Sequence, residues 1–263
     1  MVQLHRERLG AGPRLLYCNG SGVTLESTWP MLTPLAAHFD LVAFDYRGLG
    51  ASAPVTEPYS MADLAGDVAE LLDALGWDRT ALVGLSFGGM VAQEFAVTHP
   101  ERVTRLALLA TSPGGAFPSY PLETLVDLPD GERAERTLVL SDRRMSGWLA
   151  DHPDEAAKAN GFAPDSTQAT PGALLQLRAR SHHDVVDRLH RVNCPTFVAS
   201  GRFDDIAPVV NGQAIADRVG GAEFRVYEGG HAFLVQDPAA WPDLVGFLGA
   251  GGQDAPRADK LGR

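Results

Sequence analysis

Three residues of this chain have the types and the order that nucleophilic catalysis requires. Ser86 stands in the segment 84–88, Gly-Leu-Ser-Phe-Gly, which matches the pattern G-x-S-x-G. A serine hydroxyl is a weak nucleophile until a neighbouring base takes its proton, and that base needs an acid to orient it. We predict that Ser86 is the nucleophile, His231 the base and Asp204 the orienting acid.

The residues on either side of Ser86 predict a strand, a sharp turn and a helix. Residues 80–84 form an apolar run typical of a buried strand, and a helical pattern begins at Phe87. Such a turn exposes the serine hydroxyl beside a helix N-terminus, whose dipole favours negative charge. Gly84 and Gly88 are expected to remove side chains that would clash across the turn.

The acid and the base each follow a further predicted strand. Asp204 comes shortly after the strand 195–200, and His231 comes shortly after the strand 223–227. Because the carboxyl ends of parallel strands meet at one edge of a sheet, we expect both side chains to lie near the serine. Asp205 remains an alternative acid, since only one of two adjacent side chains reaches the base.

Two backbone amides are candidates for stabilising the negative charge that develops during acyl transfer. The first is the N–H of Phe87, the residue after the nucleophile. The second is expected in the glycine-rich loop 19–23, Asn-Gly-Ser-Gly-Val, where we favour the N–H of Ser21. We expect this chemistry to need neither a metal ion nor an organic cofactor.

The chain as a whole predicts an α/β protein with a doubly wound, mostly parallel sheet. Its predicted strands are continuous apolar runs, which is typical of a sheet covered by helices on both faces. Helices alternate with the strands, so right-handed crossovers are expected. The predicted strands are 14–18, 41–45, 80–84, 106–110, 195–200 and 223–227, and helices are predicted at 61–76, 87–98, 214–219 and 239–248.

The strand pattern stops after residue 111 and returns near residue 192. Helical stretches punctuated by proline and glycine fill this interval, so we predict a helical cap that acts as a mobile lid. The expected α/β core comprises residues 1–111 and 192–250, the cap residues 112–191, and a disordered tail residues 251–263. Within the cap, helices are predicted at 132–144, 146–151 and 172–189.

Composition and charge narrow the classes of partner. The formal net charge is -11, with 22 lysines and arginines and no basic run, so nucleic acid is not expected as a partner. No apolar run approaches the ~20 residues of a membrane helix, and no apolar signal segment opens the chain. A cytoplasmic protein without membrane contact is therefore expected. Cys18 and Cys194 are expected to be small buried residues.

Several further polar and aromatic residues are interpreted structurally. Arg47 is expected to pair with a carboxylate near the floor of the site. His182 and His183 are expected on a solvated helix face, because adjacent helical residues point in different directions and make a poor pair of metal ligands. Three aromatic residues are expected either to line the pocket or to pack elsewhere: Phe117, Tyr120 and Trp148.

Three segments carry a resemblance to a known family. Residues 44–52 (FDYRGLGAS), 84–90 (GLSFGGM) and 99–103 (HPERV) resemble the α/β-hydrolase superfamily, and the resemblance covers the chain from about residue 10 to about residue 250. The first half is similar to the 3-oxoadipate enol-lactonase and small carboxylesterase branch. That family usually carries His-Gly at the start of the loop that supplies the second oxyanion donor. In this chain that loop, residues 19–23, is called the oxyanion loop below, and it begins with Asn19 followed by glycine.

The function implied by this resemblance is hydrolysis of a carboxylic ester or lactone through an acyl-Ser86 intermediate. The partner would be a small-molecule ester, lactone or ketone. Three alternatives stay open: cleavage of a carbon–carbon bond next to a ketone, cofactor-free perhydrolysis, and a ligand receptor without turnover. Epoxide hydrolases and dehalogenases of this fold carry an aspartate at the nucleophile position, in the strand–turn–helix element called the nucleophile elbow. Ser86 at this position therefore disfavours both activities. The oligomeric state stays open.

Overall fold

A seven-stranded β-sheet forms the centre of the protein, for which a computed structural model describes residues 2–151 and 170–250. In chain order the strands are β1 (Arg6–Leu9), β2 (Arg14–Cys18), β3 (Asp40–Phe44), β4 (Thr80–Leu85), β5 (Val103–Leu109), β6 (Thr196–Gly201) and β7 (Glu223–Tyr227). Their spatial order is β1-β3-β2-β4-β5-β6-β7. Only the β1–β3 pair of this sheet is antiparallel. The predicted doubly wound, mostly parallel sheet is confirmed.

Helices cover both faces of the sheet. Among the described residues these are α1 (Leu25–Ala36), α2 (Met61–Ala74), α3 (Phe87–Thr98), α4 (Asp130–Ser141), α5 (Met145–Asp151), α6 (Pro171–Ser181), α7 (Val209–Ala216), α8 (Phe233–Gln236) and α9 (Ala240–Gly249). Leu16 and Leu82 pack in one core cluster with α2 and α3, whereas their neighbours Leu15 and Val83 pack in a second cluster with α1 and α9. The central strands are continuous apolar runs because both faces are buried.

Two elements in the first part of the chain, β1 and α1, are not predicted from the sequence patterns. The strand β1 reads Arg-Glu-Arg-Leu and is exposed throughout, so it lacks the apolar run that marks a buried strand. The helix α1 contains Pro30 and Pro34, which would be expected to interrupt a helix. Burial of Leu25, Leu32 and Leu35 in the core stabilises α1 despite these prolines.

The interval between β5 and β6 contains the helices α4, α5 and α6. Short 3₁₀ turns at Leu122–Leu125 and Val186–Arg191 precede and follow them. The helical insertion expected as part of the fold class is therefore confirmed. Residues 152–169 of the predicted cap and the predicted disordered tail, 251–263, lie outside the described residues.

The end of α6 differs from the sequence-based expectation. The helix predicted over 172–189 ends at Ser181, and the two histidines follow it. His182 is exposed, but His183 is only 5% exposed. The prediction that both lie on a helix face is therefore wrong, and the expected solvent exposure holds for His182 but not for His183. Burial lowers the pKa of His183 to about 3, so its ring is neutral.

Arg47 pairs with a carboxylate and both cysteines are buried, as the sequence predicts. Arg47 Nε and Nη2 each donate to one carboxylate oxygen of Asp67, at 2.6 Å, which ties the loop after β3 to α2. Cys18 and Cys194 are buried free thiols, and burial raises the pKa of Cys18 to about 12. Among the described residues, no helix has the length and apolar character needed to cross a bilayer.

Candidate active site

Ser86 lies in the turn between β4 and α3, and its backbone has φ 55° and ψ −116°. A positive φ is unfavourable for a residue with a side chain and persists only where the surroundings hold it. The Ser86 N–H donates to the carbonyl oxygen of Leu109 at 2.8 Å, and Thr111 Oγ1 donates to the Ser86 carbonyl oxygen at 2.7 Å. Hydrogen bonds to the end of β5 therefore hold the strained turn.

Two glycines allow the turn to pack closely against itself and against β2. A Cβ atom at Gly84 would lie 2.4 Å from the carbonyl oxygen of Gly88. A Cβ atom at Gly88 would lie 2.0 Å from the carbonyl oxygen of Cys18. Neither position has room for a side chain, so the expected role of both glycines is confirmed.

Ser86, His231 and Asp204 form a continuous chain of hydrogen-bonding distances. His231 Nε2 lies 2.8 Å from Ser86 Oγ, and His231 Nδ1 lies 2.7 Å from Asp204 Oδ2. Asp204 is buried, and its Oδ1 accepts the N–H groups of Ile206 and Ala207 at 2.8 and 2.9 Å. An acceptor oxygen beside Nδ1 selects the neutral tautomer of the ring that carries its proton on Nδ1, which leaves Nε2 free to accept a proton.

The adjacent carboxylate, Asp205, points away from this chain. Its Oδ1 accepts from Arg143 Nη1 at 2.7 Å, and its side chain is 41% exposed. Its backbone N–H donates to the carbonyl oxygen of Leu140 in α4. Of the two candidate acids, Asp204 is the one that lies within hydrogen-bonding distance of His231.

The backbone that carries His231 is attached to the C-terminal end of α4. The His231 N–H donates to the carbonyl oxygen of Ser141 at 2.6 Å. The preceding residue, Gly230, donates its N–H to Gln236 Oε1 at 2.7 Å, and Gln236 Nε2 donates to Asp142 Oδ2 at 3.2 Å. The candidate base is therefore positioned by the insertion as well as by the sheet.

Two polar side chains hold the glycine-rich loop after β2 from opposite ends. Asn19 Oδ1 accepts the N–H of Gly20 at 2.9 Å, and Asn19 Nδ2 donates to Thr28 Oγ1 at 2.6 Å. Gln176 Oε1, which belongs to α6, accepts the N–H of Gly22 at 2.6 Å. The asparagine that replaces the usual histidine thus links the start of the loop to α1.

Neither candidate oxyanion donor, the N–H of Ser21 or the N–H of Phe87, is used by a hydrogen bond among the described residues. Ser21 and Ser86 both line the cavity described below, and no acceptor in the described part of the chain meets the Ser21 N–H. Phe87 is the first residue of α3, so its N–H has no partner inside the helix. The Phe87 ring is fully buried and packs edge-on against Tyr46 with 5.3 Å between ring centroids.

A cavity of about 150 Å³ opens onto Ser86 and His231. One wall contains Arg133, Thr137 and Ser141, which share a face of α4 because they are spaced four residues apart. The described lining contains none of the three aromatic residues considered from the sequence. Its apolar part includes Leu122, Leu125, Val126, Leu174, Leu177 and Ile206.

The fold and this arrangement of residues agree with one protein family. The family model described as the alpha/beta hydrolase fold matches residues 13–238. Since this match covers most of the chain, the protein belongs to the α/β-hydrolase family, as its sequence resemblance implied.

Three relatives illustrate the range of hydrolases that the chain is similar to. It is 29% identical to a poly(3-hydroxyalkanoate) depolymerase of Ectopseudomonas oleovorans, over 89% of this chain and 83% of that protein. It is 31% identical to RutD of Variovorax paradoxus, whose name describes a carbamate hydrolase, over 94% and 96% of the two chains. It is 25% identical to 3-oxoadipate enol-lactonase 2 of Acinetobacter baylyi, over 89% and 87%.

Contacts between the insertion and the site are what sequence patterns do not reveal. No motif marks Gln176, which is a single polar residue in a helical stretch of the cap. The contact between Ser141 and His231 involves backbone atoms, so neither side chain encodes it. The signal that the sequence does offer is that Ser141 and Gln176 both lie in helices predicted for the insertion.

Proposed function

We propose that this protein hydrolyses carboxylic esters or lactones through an acyl-Ser86 intermediate. The observation that carries the proposal is the unbroken series of hydrogen-bonding distances from Ser86 through His231 to Asp204. Relatives whose names describe a poly(3-hydroxyalkanoate) depolymerase and an enol-lactonase also support this reaction class.

In the acylation step, His231 Nε2 takes the proton of Ser86 Oγ while that oxygen forms a bond to the substrate carbonyl carbon. The carbonyl π electrons move to the oxygen, whose negative charge is stabilised by the N–H groups of Ser21 and Phe87. His231 then gives its proton to the departing alkoxide oxygen as the carbon–oxygen bond breaks. Asp204 remains ionised and stabilises the imidazolium.

Deacylation repeats the sequence with water as the nucleophile. His231 takes a proton from water while the water oxygen attacks the carbonyl carbon of the acyl-enzyme. The bond to Ser86 Oγ breaks, the serine regains its proton from His231, and the carboxylic acid leaves. With a lactone, the alcohol and the acid are parts of one product molecule.

We assign the cavity beside Ser86 to the acyl part of the substrate. Its volume of about 150 Å³ matches a group of roughly benzene size, and most of its lining is apolar. Esters and lactones with compact apolar acyl groups are therefore the expected substrates. In this proposal the cap, residues 112–191, acts as the specificity-determining lid, whereas residues 1–111 and 192–250 position the catalytic groups.

The experiment that tests the proposal is a panel of aryl and alkyl esters of graded acyl length, together with an enol-lactone. A carbamate is added because the name of one relative describes a carbamate hydrolase. A ketone with a cleavable carbon–carbon bond tests carbon–carbon bond hydrolysis. Ester turnover measured with hydrogen peroxide added tests perhydrolysis. Turnover of short esters with a burst of the alcohol product supports the acyl-enzyme.

The variant Ser86→Ala serves as the blank for every substrate in that panel. Faster turnover of the carbamate or the ketone than of any ester would move the assignment to that reaction. Binding of panel compounds without turnover would favour the receptor alternative. Ester hydrolysis that persists in Ser86→Ala would exclude Ser86 as the nucleophile.

A further inference from the structure

Gln176 reaches from the cap into the oxyanion loop. It lies in α6, is completely buried, and contacts residues more than 150 positions away in the sequence. Its Oε1 accepts two donors, the N–H of Gly22 at 2.6 Å and the hydroxyl of Ser21 at 3.2 Å. A side-chain acceptor from the insertion thus binds the loop that carries a candidate oxyanion donor.

The orientation of the Gln176 amide is determined by the backbone donor. An N–H group requires an acceptor, so the oxygen and not the nitrogen of the amide must face Gly22. The Nε2 group is then left buried without a partner among the described residues. Leaving a donor unpaired is unfavourable, so the contact with the loop must compensate for that cost.

The helix that carries Gln176 is itself in close contact with the core. A Cβ atom at Gly172, in the first turn of α6, would lie 1.9 Å from the carbonyl oxygen of Gly48. Gly48 belongs to the loop after β3, which Arg47 attaches to α2. The start of α6 is therefore packed backbone to backbone against the core, which gives Gln176 a defined position.

The oxyanion loop needs such support because of its composition. Glycine has the largest conformational freedom of any residue, and Gly22 adopts φ 66°. Asn19 holds the N–H of Gly20, and Gln176 holds the N–H of Gly22. The amide of Ser21 lies between these two anchored amides and is the one left available to a substrate.

We infer that Gln176 is a positioning residue through which the cap holds the Ser21 amide in place to stabilise the oxyanion. This inference rests on the proposed function. It makes the catalytic step depend on the docked position of α6, because displacement of that helix would release one end of the loop. A shift of about 1 Å in a reacting group is enough to reduce a rate by ~100-fold.

The test replaces Gln176 by methionine, which has similar length but neither the acceptor nor the unpaired donor. We expect kcat for a short aryl ester to fall by about 10- to 100-fold, with KM changed by less than about threefold. Affinity for a trifluoromethyl ketone, which forms a tetrahedral adduct with serine, should fall by a similar factor. The matched control is Arg178→Gln, an exposed position on the same helix, which should behave like the wild type.

A purely structural role for Gln176 would give a different result. Rates are therefore expressed per active serine, counted by end-point labelling with a fluorophosphonate, and thermal unfolding is followed in parallel. If Gln176→Met lowers only the active fraction or Tm, and kcat per labelled serine equals that of the wild type, the inference is overturned. If Gln176→Met does not fold, Gln176→Asn, which is too short to reach the loop, is measured against the same criteria.

A double-mutant cycle with Ser21→Ala adds a second readout. Ser21→Ala removes one of the two donors to Gln176 but keeps the backbone amide. If both residues act through the loop, their effects on kcat combine non-additively, whereas additive effects would contradict the coupling. Failure of the wild type to hydrolyse any ester or lactone would instead overturn the proposed function, so the two failures are distinguishable.

Discussion

The helix α3 begins at the candidate active site and the helix α4 ends there, but the two helices are buried to different extents. Every residue of α3 from Phe87 to Val97 is buried. In α4 only Ala134 is buried, and the helix exposes much of its surface. The comparison shows that Ser86 is held by the close-packed core, whereas the cavity wall belongs to a loosely packed helix. Substitutions inside α3 should therefore lower the stability of the protein, whereas substitutions on the cavity face of α4 should change its selectivity among substrates.

The two helices also use opposite ends. The N-terminus of α3 directly follows Ser86, where its free N–H groups and its dipole favour negative charge. The C-terminus of α4 supplies the carbonyl oxygen of Ser141, which accepts the N–H of His231. In the proposed mechanism, the N-terminus of α3 therefore faces the charge that develops on the substrate, and the C-terminus of α4 holds the proposed base.

The largest expected effect lies at the start of α3. Ser86→Ala should reduce kcat/KM for a short ester by about 10⁴-fold or more, because no other group of the triad replaces the nucleophile. The thermal midpoint should stay near that of the wild type, because the hydrogen bonds that hold the turn involve the backbone N–H and carbonyl groups of Ser86 and not its side-chain hydroxyl. Initial rates and a thermal melt measure both quantities. Activity near that of the wild type would reject the nucleophile assignment.

The second prediction separates the adjacent carboxylates. Asp204→Asn should lower kcat by about 10³- to 10⁴-fold, because an amide facing Nδ1 favours the wrong tautomer of His231. Asp205→Asn should change kcat by less than about threefold, since Asp205 pairs with Arg143 in an exposed position. Steady-state kinetics of the two variants, prepared identically, decide the matter. Reversed effects would make Asp205 the acid.

The third prediction compares glycines in the two helices. Gly88→Ala in α3 should lower stability by about 3 kcal/mol, a fall in Tm of roughly 10 °C, because its Cβ would clash with the Cys18 carbonyl oxygen. Gly131→Ala in α4 meets no atom within 4 Å and should raise stability by about 0.5 kcal/mol. Equal shifts in the two melting curves would remove the contrast between the helices.

The smallest expected effect concerns selectivity rather than stability. Thr137→Leu, on the cavity face of α4, should reduce kcat/KM for a longer acyl ester relative to an acetate ester by about tenfold, because it fills part of the acyl cavity. The matched control is Glu135→Gln, an exposed position on the same helix, with no expected change. An unchanged ratio in Thr137→Leu would show that the acyl group does not occupy this cavity.

Local patterns in the sequence were sufficient for the elements that carry the site. The apolar run of β4, the helical pattern after it and the glycines at 84 and 88 predict the elbow, because each depends on residues close together in the chain. The order of Ser86, Asp204 and His231 after three strands predicts their meeting, since parallel strands end at one edge of a sheet. Exposed β1 and proline-containing α1 lacked such patterns and were missed.

The tertiary structure decided what depends on side-chain direction and on contacts between distant segments. The sequence favoured Asp204 as the acid but left Asp205 open. In the structure Asp204 lies against His231, and Asp205 accepts a hydrogen bond from Arg143. The contact of Gln176 with the oxyanion loop and the volume of the cavity arise from docking of the insertion on the core. Periodicity records which face of an element is apolar, but it carries no information about which distant backbone group that face will meet.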